Sequence, residues 1–195
     1  RGMARILQLP LHGDVIRSLV LNELVELSGR IYIARDAAHK YLATADDLSS
    51  APDLQQAVFY HCGPVVIQEK GDWKITAAGP TTSIREEPYM ADLIAKFSLQ
   101  GIIGKGGMGE RTLTACREFG CVYLHAVGGA AQILAQAVKK VTAVYFLEEF
   151  GFPEALWCLE VERFPAVVTM DAHGNSLHQQ VRQNSRLQLE KLLAD

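Results

Sequence analysis

The segment 101–119 has the sequence GIIGKGGMGERTLTACREF, in which a short apolar run meets a glycine-rich loop and then a helical pattern. The apolar run predicts a strand at Ile102-Ile103, and the helix predicted at Glu110–Phe119 is ended by Gly120. The same order of strand, glycine loop and helix follows once more, at Cys121–Val127, Gly128-Gly129 and Ala130–Val138. Alternation of this kind predicts an α/β domain.

Upstream of this segment the pattern favours short strands. Val25–Leu27 and Arg30–Ala34 predict two strands joined by a hairpin turn at Ser28-Gly29. Asp36 is placed to cap a helix that begins at Ala37. The remaining predicted elements are strands at Ala57–Tyr60, Val65–Gln68, Trp73–Ala77, Val141–Leu147, Leu156–Val161 and Ala166–Met170, a helix at Pro88–Phe97 and a C-terminal amphipathic helix from Leu177 onward. Because no repeat or linker interrupts the chain, we expect one domain over residues 1–195.

Composition and charge exclude several classes of protein. Of the 195 residues, 49% are apolar and 21% are charged, which is typical of a globular chain. The formal net charge of −3 argues against a nucleic-acid or anionic-membrane partner. No apolar run reaches the roughly 18 residues of a membrane span, and residues 1–20 lack the apolar core of a signal peptide. We therefore expect a cytoplasmic protein.

A second glycine-bracketed loop, Gly79-Pro80-Thr81-Thr82-Ser83-Ile84-Arg85, resembles the first in its chemistry. In both loops a cation lies among backbone N–H groups that can face an anion. The guanidinium of Arg85 matches a carboxylate in shape, and the ammonium of Lys105 supplies a compact charge. With the two threonine hydroxyls, this set suits a small acid that carries more than one carboxylate. The alternative is a strand-ending turn in which a threonine caps the next helix.

The loop that contains Lys105 also matches the pattern G-x-G-x-x-G of dinucleotide-binding proteins. Such a site needs an acidic residue about 20 positions further on, at the end of the next strand. That strand ends instead at Ala126-Val127-Gly128-Gly129, and a phosphate-binding P-loop would need Ser or Thr where Gly106 stands. Nucleotide binding is therefore disfavoured, and a structural turn or a carboxylate-binding loop remains.

Four further segments complete a set found in one family of enzymes. They are Arg35-Asp36-Ala37-Ala38-His39-Lys40, His61-Cys62-Gly63-Pro64, Glu154-Ala155-Leu156-Trp157 and Asp171-Ala172-His173-Gly174-Asn175-Ser176-Leu177. With the two glycine loops, and in this order, they make residues 10 to 178 resemble the β subunit, or C-terminal domain, of class I fumarate hydratases and L(+)-tartrate dehydratases. These enzymes are iron–sulfur hydro-lyases. The resemblance implies a swivelling β/β/α fold, with two sheet layers and helices on one side.

The resemblance also implies roles for particular side chains. Thr81 becomes the candidate proton-transfer hydroxyl, and Thr82 and Arg85 become substrate contacts, as does Lys105 in the second loop. Arg35 would hold a substrate carboxylate, although local sequence alone also fits a helix start with a solvated Arg–Asp pair. His39 is a second candidate base, because the ordinary pKa of histidine suits acid–base catalysis. The structural, hydrogen-bonded histidines are expected to be His61, His125 and His173.

The cysteines indicate where the cofactor belongs. Cys62, Cys116, Cys121 and Cys158 form no C-x-x-C pair, so we interpret them as small buried residues. The family requires a [4Fe–4S] cluster, and the resemblance implies that an α subunit supplies its ligands. We therefore expect half of an enzyme, completed by an α partner in a higher oligomer such as α2β2.

The expected reaction is the hydration of a small dicarboxylate, fumarate, to L-malate. L(+)-Tartrate dehydration is an alternative within the class. A non-catalytic binding or assembly subunit is an alternative outside it.

Overall fold

The computed structural model describes residues 3–194. Its strands are β1 (Arg5–Gln8), β2 (Leu24–Ile33), β3 (Val58–Tyr60), β4 (Val65–Glu69), β5 (Asp72–Ala77), β6 (Gly101–Gly104), β7 (Val122–Ala126), β8 (Val138–Tyr145) and β9 (Leu156–Met170). Its α-helices are α1 (Gly13–Ser18), α2 (Asp36–Thr44), α3 (Glu87–Phe97), α4 (Glu110–Phe119), α5 (Ala131–Gln136), α6 (Leu147–Phe150) and α7 (Leu177–Ala194). A 3₁₀ turn at Ser83–Glu86 precedes α3.

The main sheet closes on itself. Its strand order is β1-β2-β3-β6-β7-β9-β8, and β9 pairs with β2 as well as with β7. Strands β2, β3, β6 and β7 run parallel to one another, whereas β9 is antiparallel to its neighbours. Five strands therefore form a barrel-like ring, and β4 and β5 form a separate antiparallel pair.

Two apolar cores lie on opposite faces of the ring. All five ring strands contribute to the first core, which contains Ile31 and Ile33 of β2. Tyr32, between these two residues, points to the opposite face and packs in the second core. The second core continues into helices α2, α3 and α4, with buried residues such as Leu42, Met90 and Leu113. This arrangement confirms the predicted single α/β domain, with mixed sheets and helices packed on one side.

The predicted hairpin at Ser28-Gly29 is wrong. Leu24–Ile33 is one continuous strand that pairs with β9 along its length, and the register shifts between Leu27 and Gly29. Gly29 has a φ of +126°, a conformation that a β-bulge can use and that side chains other than glycine rarely adopt. A turn signal in the sequence therefore corresponds to a bulge, because β9 holds both halves of the strand in one sheet.

Two smaller expectations are also corrected. The strands predicted at Leu156–Val161 and Ala166–Met170 form the single strand β9, since its pairing with β2 continues through Pro165. Asp36 does not cap α2: it is the first helical residue, and Arg35 occupies the cap position without a side-chain cap bond.

The predicted C-terminal helix is confirmed as α7, which buries no residue in this chain. Its apolar side chains at Val181, Leu187, Leu192 and Leu193 are exposed. Among residues 3–194 no helix combines the length and the apolar character needed to cross a bilayer.

We predict that Gly29→Ala lowers the free energy of unfolding by about 1–3 kcal/mol. An alanine there would keep the unfavourable positive φ, and its Cβ would lie 2.9 Å from Cβ of Leu9. Gly13→Ala is the matched control, because Gly13 has no positive φ and no neighbouring heavy atom within 4 Å of the added Cβ. Urea unfolding midpoints measure both effects. Equal midpoints for the two variants would contradict the assignment of Gly29 as a conformationally required bulge.

Candidate active site

The carboxyl ends of three adjacent parallel strands place Arg35, His61 and Lys105 at one edge of the sheet. β2 ends at Ile33, β3 at Tyr60 and β6 at Gly104, so each of the three residues follows its strand by one or two positions. In α/β sheets this edge is where ligands bind, because the loops there converge while the strands hold them rigidly. The edge is therefore the candidate site.

The segment 79–85 crosses this edge and is attached to it through its backbone. The N–H of Thr81 donates to the carbonyl of His61 at 2.8 Å, and the N–H of Lys105 donates to the carbonyl of Thr81 at 3.3 Å. The N–H of Ser83 donates in turn to the carbonyl of Lys105 at 3.1 Å. Thr82 and Lys105 also form a parallel β-bridge. The two glycine loops, separate in sequence, are thus one structural unit.

The three candidate cations have different surroundings. Nε of Arg35 lies 3.9 Å from Oε2 of Glu154, and Arg85 forms an ion pair with Asp36. Lys105 is exposed, and among the described residues no carboxylate lies within salt-bridge distance of its ammonium. Arg35 also packs closely on Gly63, where an added Cβ would lie 3.1 Å from its Nη1. Lys105 is consequently the cation most open to an external anion.

Sequence reasoning did not identify Glu86, which follows Arg85 in the chain and is only 2% exposed. Burial, reinforced by a hydrogen bond with Asp36, raises the pKa of Glu86 to about 9. The same hydrogen bond, followed by the Arg85 guanidinium, lowers the pKa of Asp36. At neutral pH Glu86 therefore keeps its proton and Asp36 stays ionised. The only signal in the sequence is an acidic residue next to the motif, which gives no indication of its burial.

The structure places His39 beneath the site. Its side chain is fully buried, with Nδ1 2.7 Å from the Arg35 carbonyl oxygen and Nε2 3.1 Å from Nε2 of His61. Burial lowers the pKa of His39 to about 4 and holds the pKa of His61 well below its usual value. Both imidazoles are therefore neutral at physiological pH.

Exposure divides the six predicted site residues into three groups. Thr82, Arg85 and Lys105 are exposed, Thr81 and Arg35 are half-buried, and His39 is buried. The first five, which include two hydroxyls and three cations, belong to segments that meet at this edge of the sheet. His39 contacts this edge through the backbone of Arg35 and through His61, and its Nδ1 also lies 3.5 Å from Oε2 of the buried Glu86.

The cysteines of this chain do not fit an iron–sulfur cluster. All four are buried as free thiols, and burial raises the pKa of Cys62, the one nearest the site, to about 12. A cluster needs thiolate ligands. Within residues 3–194 no group of three or more His, Cys, Asp or Glu side chains is arranged to hold a metal.

Comparison with known proteins gives consistent relatives. A putative fumarate hydratase class I from Geobacillus stearothermophilus is 52% identical over 188 residues, which are 95% of this chain and 35% of that protein. A putative L(+)-tartrate dehydratase subunit beta from Methanocaldococcus jannaschii is 40% identical over 181 residues, 91% of this chain and 93% of that protein. The L(+)-tartrate dehydratase subunit beta of Escherichia coli K12 is 30% identical over 191 residues, 97% and 92% of the two chains.

This chain thus spans about a third of the first relative and almost all of the two β subunits. The family model described as "Fumarase C-terminus" matches residues 5–181, a range that includes both glycine loops and every predicted site residue. The chain belongs to the fumarase C-terminus family.

Proposed function

We propose that this chain is the β subunit of a hydro-lyase that adds water reversibly to fumarate to give L-malate, at an active site shared with an α subunit. The observation that carries the proposal is the convergence of Arg35, Thr81, Thr82, Arg85 and Lys105 at the carboxyl ends of β2, β3 and β6. A site with several cations and hydroxyls and an exposed ammonium suits a substrate with two carboxylates.

Elimination of water from L-malate requires that the C–H bond next to one carboxylate become acidic. In the proposed complex Arg35 and Lys105 hold carboxylates of the substrate, and their charge stabilises the electron density that develops when the proton leaves. Thr82 and Arg85 add contacts at the same rim. Arg85 is held in place by Asp36, whose negative charge is maintained by the proton on Glu86.

Thr81 is the proposed base. A threonine hydroxyl is a weak base at its ordinary pKa, so the role requires nearby positive charge that stabilises its alkoxide. Thr81 is half-buried, and its carbonyl accepts the N–H of Lys105. His39 is the alternative base, but both of its ring nitrogens already have partners inside the protein, which supports Thr81 over His39.

The proposed α partner holds the [4Fe–4S] cluster, which supplies the Lewis acid for loss of the hydroxyl. The names of the M. jannaschii and E. coli relatives, each a β subunit of nearly the same length as this chain, support such a division of labour. The exposed rim formed by Thr82, Arg85 and Lys105 would then face the partner across the substrate. We propose a higher oligomer such as α2β2.

L(+)-Tartrate dehydration to oxaloacetate is a nearly equal second candidate. The relatives that match this chain over almost their whole length are named as tartrate dehydratase subunits, whereas the more similar relative is named as a fumarate hydratase. L-Malate and L(+)-tartrate differ by one hydroxyl, and both would present two carboxylates to the same cations. Assay of the assembled complex with fumarate and with L(+)-tartrate separates the candidates.

We predict that Lys105→Ala lowers kcat/KM of the assembled complex about 10- to 150-fold, because a charge-assisted contact of about 1.5–3 kcal/mol is lost. Steady-state kinetics with fumarate and L-malate measure the effect. Lys139→Ala is the control, because Lys139 lies away from the candidate site. Its neighbour Val138 pairs with Val161. Val161 in turn pairs with Gly29, in the middle of β2 and not at its carboxyl end. If Lys105→Ala retains full activity, the loop is only structural, and the alternative of a non-catalytic subunit gains support.

Replacement of Thr81 tests the identity of the base. We expect Thr81→Ala to lower kcat by roughly 10²–10⁴ with little change in KM, and Thr81→Ser to keep much of the activity because the hydroxyl remains. If His39 were the base, His39→Asn would carry the large loss, and the acid limb of the pH–rate profile, centred near the pKa of about 4, would disappear with it. A fully active Thr81→Ala complex would exclude the threonine.

A further inference from the structure

A buried chain of side-chain hydrogen bonds runs beneath the candidate site. The Tyr123 hydroxyl donates to Oγ of Ser83 at 2.8 Å, and Oγ of Ser83 lies 2.8 Å from Nδ1 of His61. Nε2 of His61 lies 3.1 Å from Nε2 of His39, whose Nδ1 is 2.7 Å from the carbonyl oxygen of Arg35. All four of these side chains are less than 2% exposed. The chain connects β7, the segment 79–85, the end of β3 and helix α2.

The last acceptor fixes the direction of every bond. A carbonyl oxygen only accepts, so Nδ1 of His39 must carry a hydrogen. Because burial keeps the ring neutral, its Nε2 is then an acceptor, and Nε2 of His61 must be the donor across the 3.1 Å contact. Nδ1 of His61 consequently accepts from the Ser83 hydroxyl, which accepts from Tyr123. Each group donates toward Arg35, and the tautomers of both histidines are determined.

The hydrogen-bond chain occupies space that is free because Gly104 has no side chain. An added Cβ at Gly104 would lie 1.9 Å from Oγ of Ser83, 3.1 Å from the Tyr123 hydroxyl and 3.3 Å from Nδ1 of His61. Three members of the chain therefore meet at the position of one missing side chain. Gly104 is the last residue of β6 and immediately precedes Lys105, so the meeting point lies directly under the glycine loop.

The chain also contacts each part of the site that holds a predicted substrate ligand. Ser83 lies between Thr82 and Arg85 in the sequence, and its N–H donates to the carbonyl of Lys105 at 3.1 Å. The carbonyl of His61 accepts the N–H of Thr81, and the carbonyl of Arg35 accepts both the N–H and Nδ1 of His39. A displacement of any member would therefore move two of these parts relative to each other.

We propose that Tyr123, Ser83, His61 and His39 are positioning residues that hold Arg35, Thr81 and Lys105 in one fixed arrangement through a single-direction hydrogen-bond chain. The expected effect on catalysis rests on the proposed function, whereas the hydrogen-bond chain and the tautomers of His39 and His61 do not. None of the four side chains needs to touch the substrate. They act on it indirectly, by fixing the backbone of Arg35, Thr81 and Lys105.

The tautomers are tested on the unaltered 195-residue chain at pH 7.5, labelled with ¹⁵N-histidine. Long-range ¹H–¹⁵N correlation spectra distinguish protonated from unprotonated ring nitrogens. We expect His39 to be the Nδ1–H form and His61 the Nε2–H form. If His61 were protonated at Nδ1, or if either ring were charged at this pH, the proposed direction of the hydrogen bonds would be wrong, whatever the activity of the enzyme.

The positioning role is tested by Tyr123→Phe in the assembled complex, with Tyr32→Phe as control. Tyr32 is also buried in the helix-facing core, but its hydroxyl contacts the carbonyl of Asp53, outside the chain. We expect Tyr123→Phe to lower kcat about 10- to 100-fold with a smaller change in KM, because misplacement of reacting groups lowers the rate more than binding. Tyr32→Phe should leave both constants near the original values.

Equal kcat for the two phenylalanine variants, at equal unfolding midpoints, would overturn the positioning role even if the tautomers are as expected. Inactivity of the unsubstituted complex toward both dicarboxylates would contradict the proposed function instead. The NMR spectra would still show whether the two histidines have the tautomers that the hydrogen-bond chain requires.

Discussion

The parallel pairing of β2, β3 and β6 is the constraint on which the candidate site depends. It brings Arg35, His61 and Lys105 to one edge, although they are far apart in the sequence. The pairing of β9 with both β2 and β7 closes the ring and fixes the spacing of these strands. The segment 79–85 is then bound to the edge by backbone hydrogen bonds, so strand pairing and backbone contacts set where the parts of the site lie.

The electrostatics of the site separate a charged surface from a neutral interior. Arg35, Arg85 and Lys105 lie at or near the surface, while the groups behind them are kept uncharged by burial: Glu86 holds its proton, and His39 and His61 do not gain one. Buried neutral groups avoid the large desolvation cost of buried charge, provided that their hydrogen bonds are satisfied. The chain from Tyr123 to Arg35 meets this condition for both histidines.

Local pattern was sufficient where the structure depends on local chemistry. The strand at Ile102-Ile103 and the helix Glu110–Phe119 followed from residue type and order. It failed where a distant partner decides the outcome: Gly29 forms a bulge because β9 pairs on both sides of it. The roles of Glu86, Ser83 and Tyr123 could not be predicted from the sequence, since they arise from burial that only the assembled sheet and helices create.

Binding of substrate carboxylates at the shared carboxyl edge of β2, β3 and β6 can be observed in an anaerobic structure of the complex with its α partner and L-malate. We expect a substrate carboxylate oxygen about 2.7–2.9 Å from Nζ of Lys105, with Arg35 holding a carboxylate at the same edge. A complex in which residues of the α partner bind both carboxylates, and Lys105 and Arg35 contact neither, would contradict a carboxylate site at this edge.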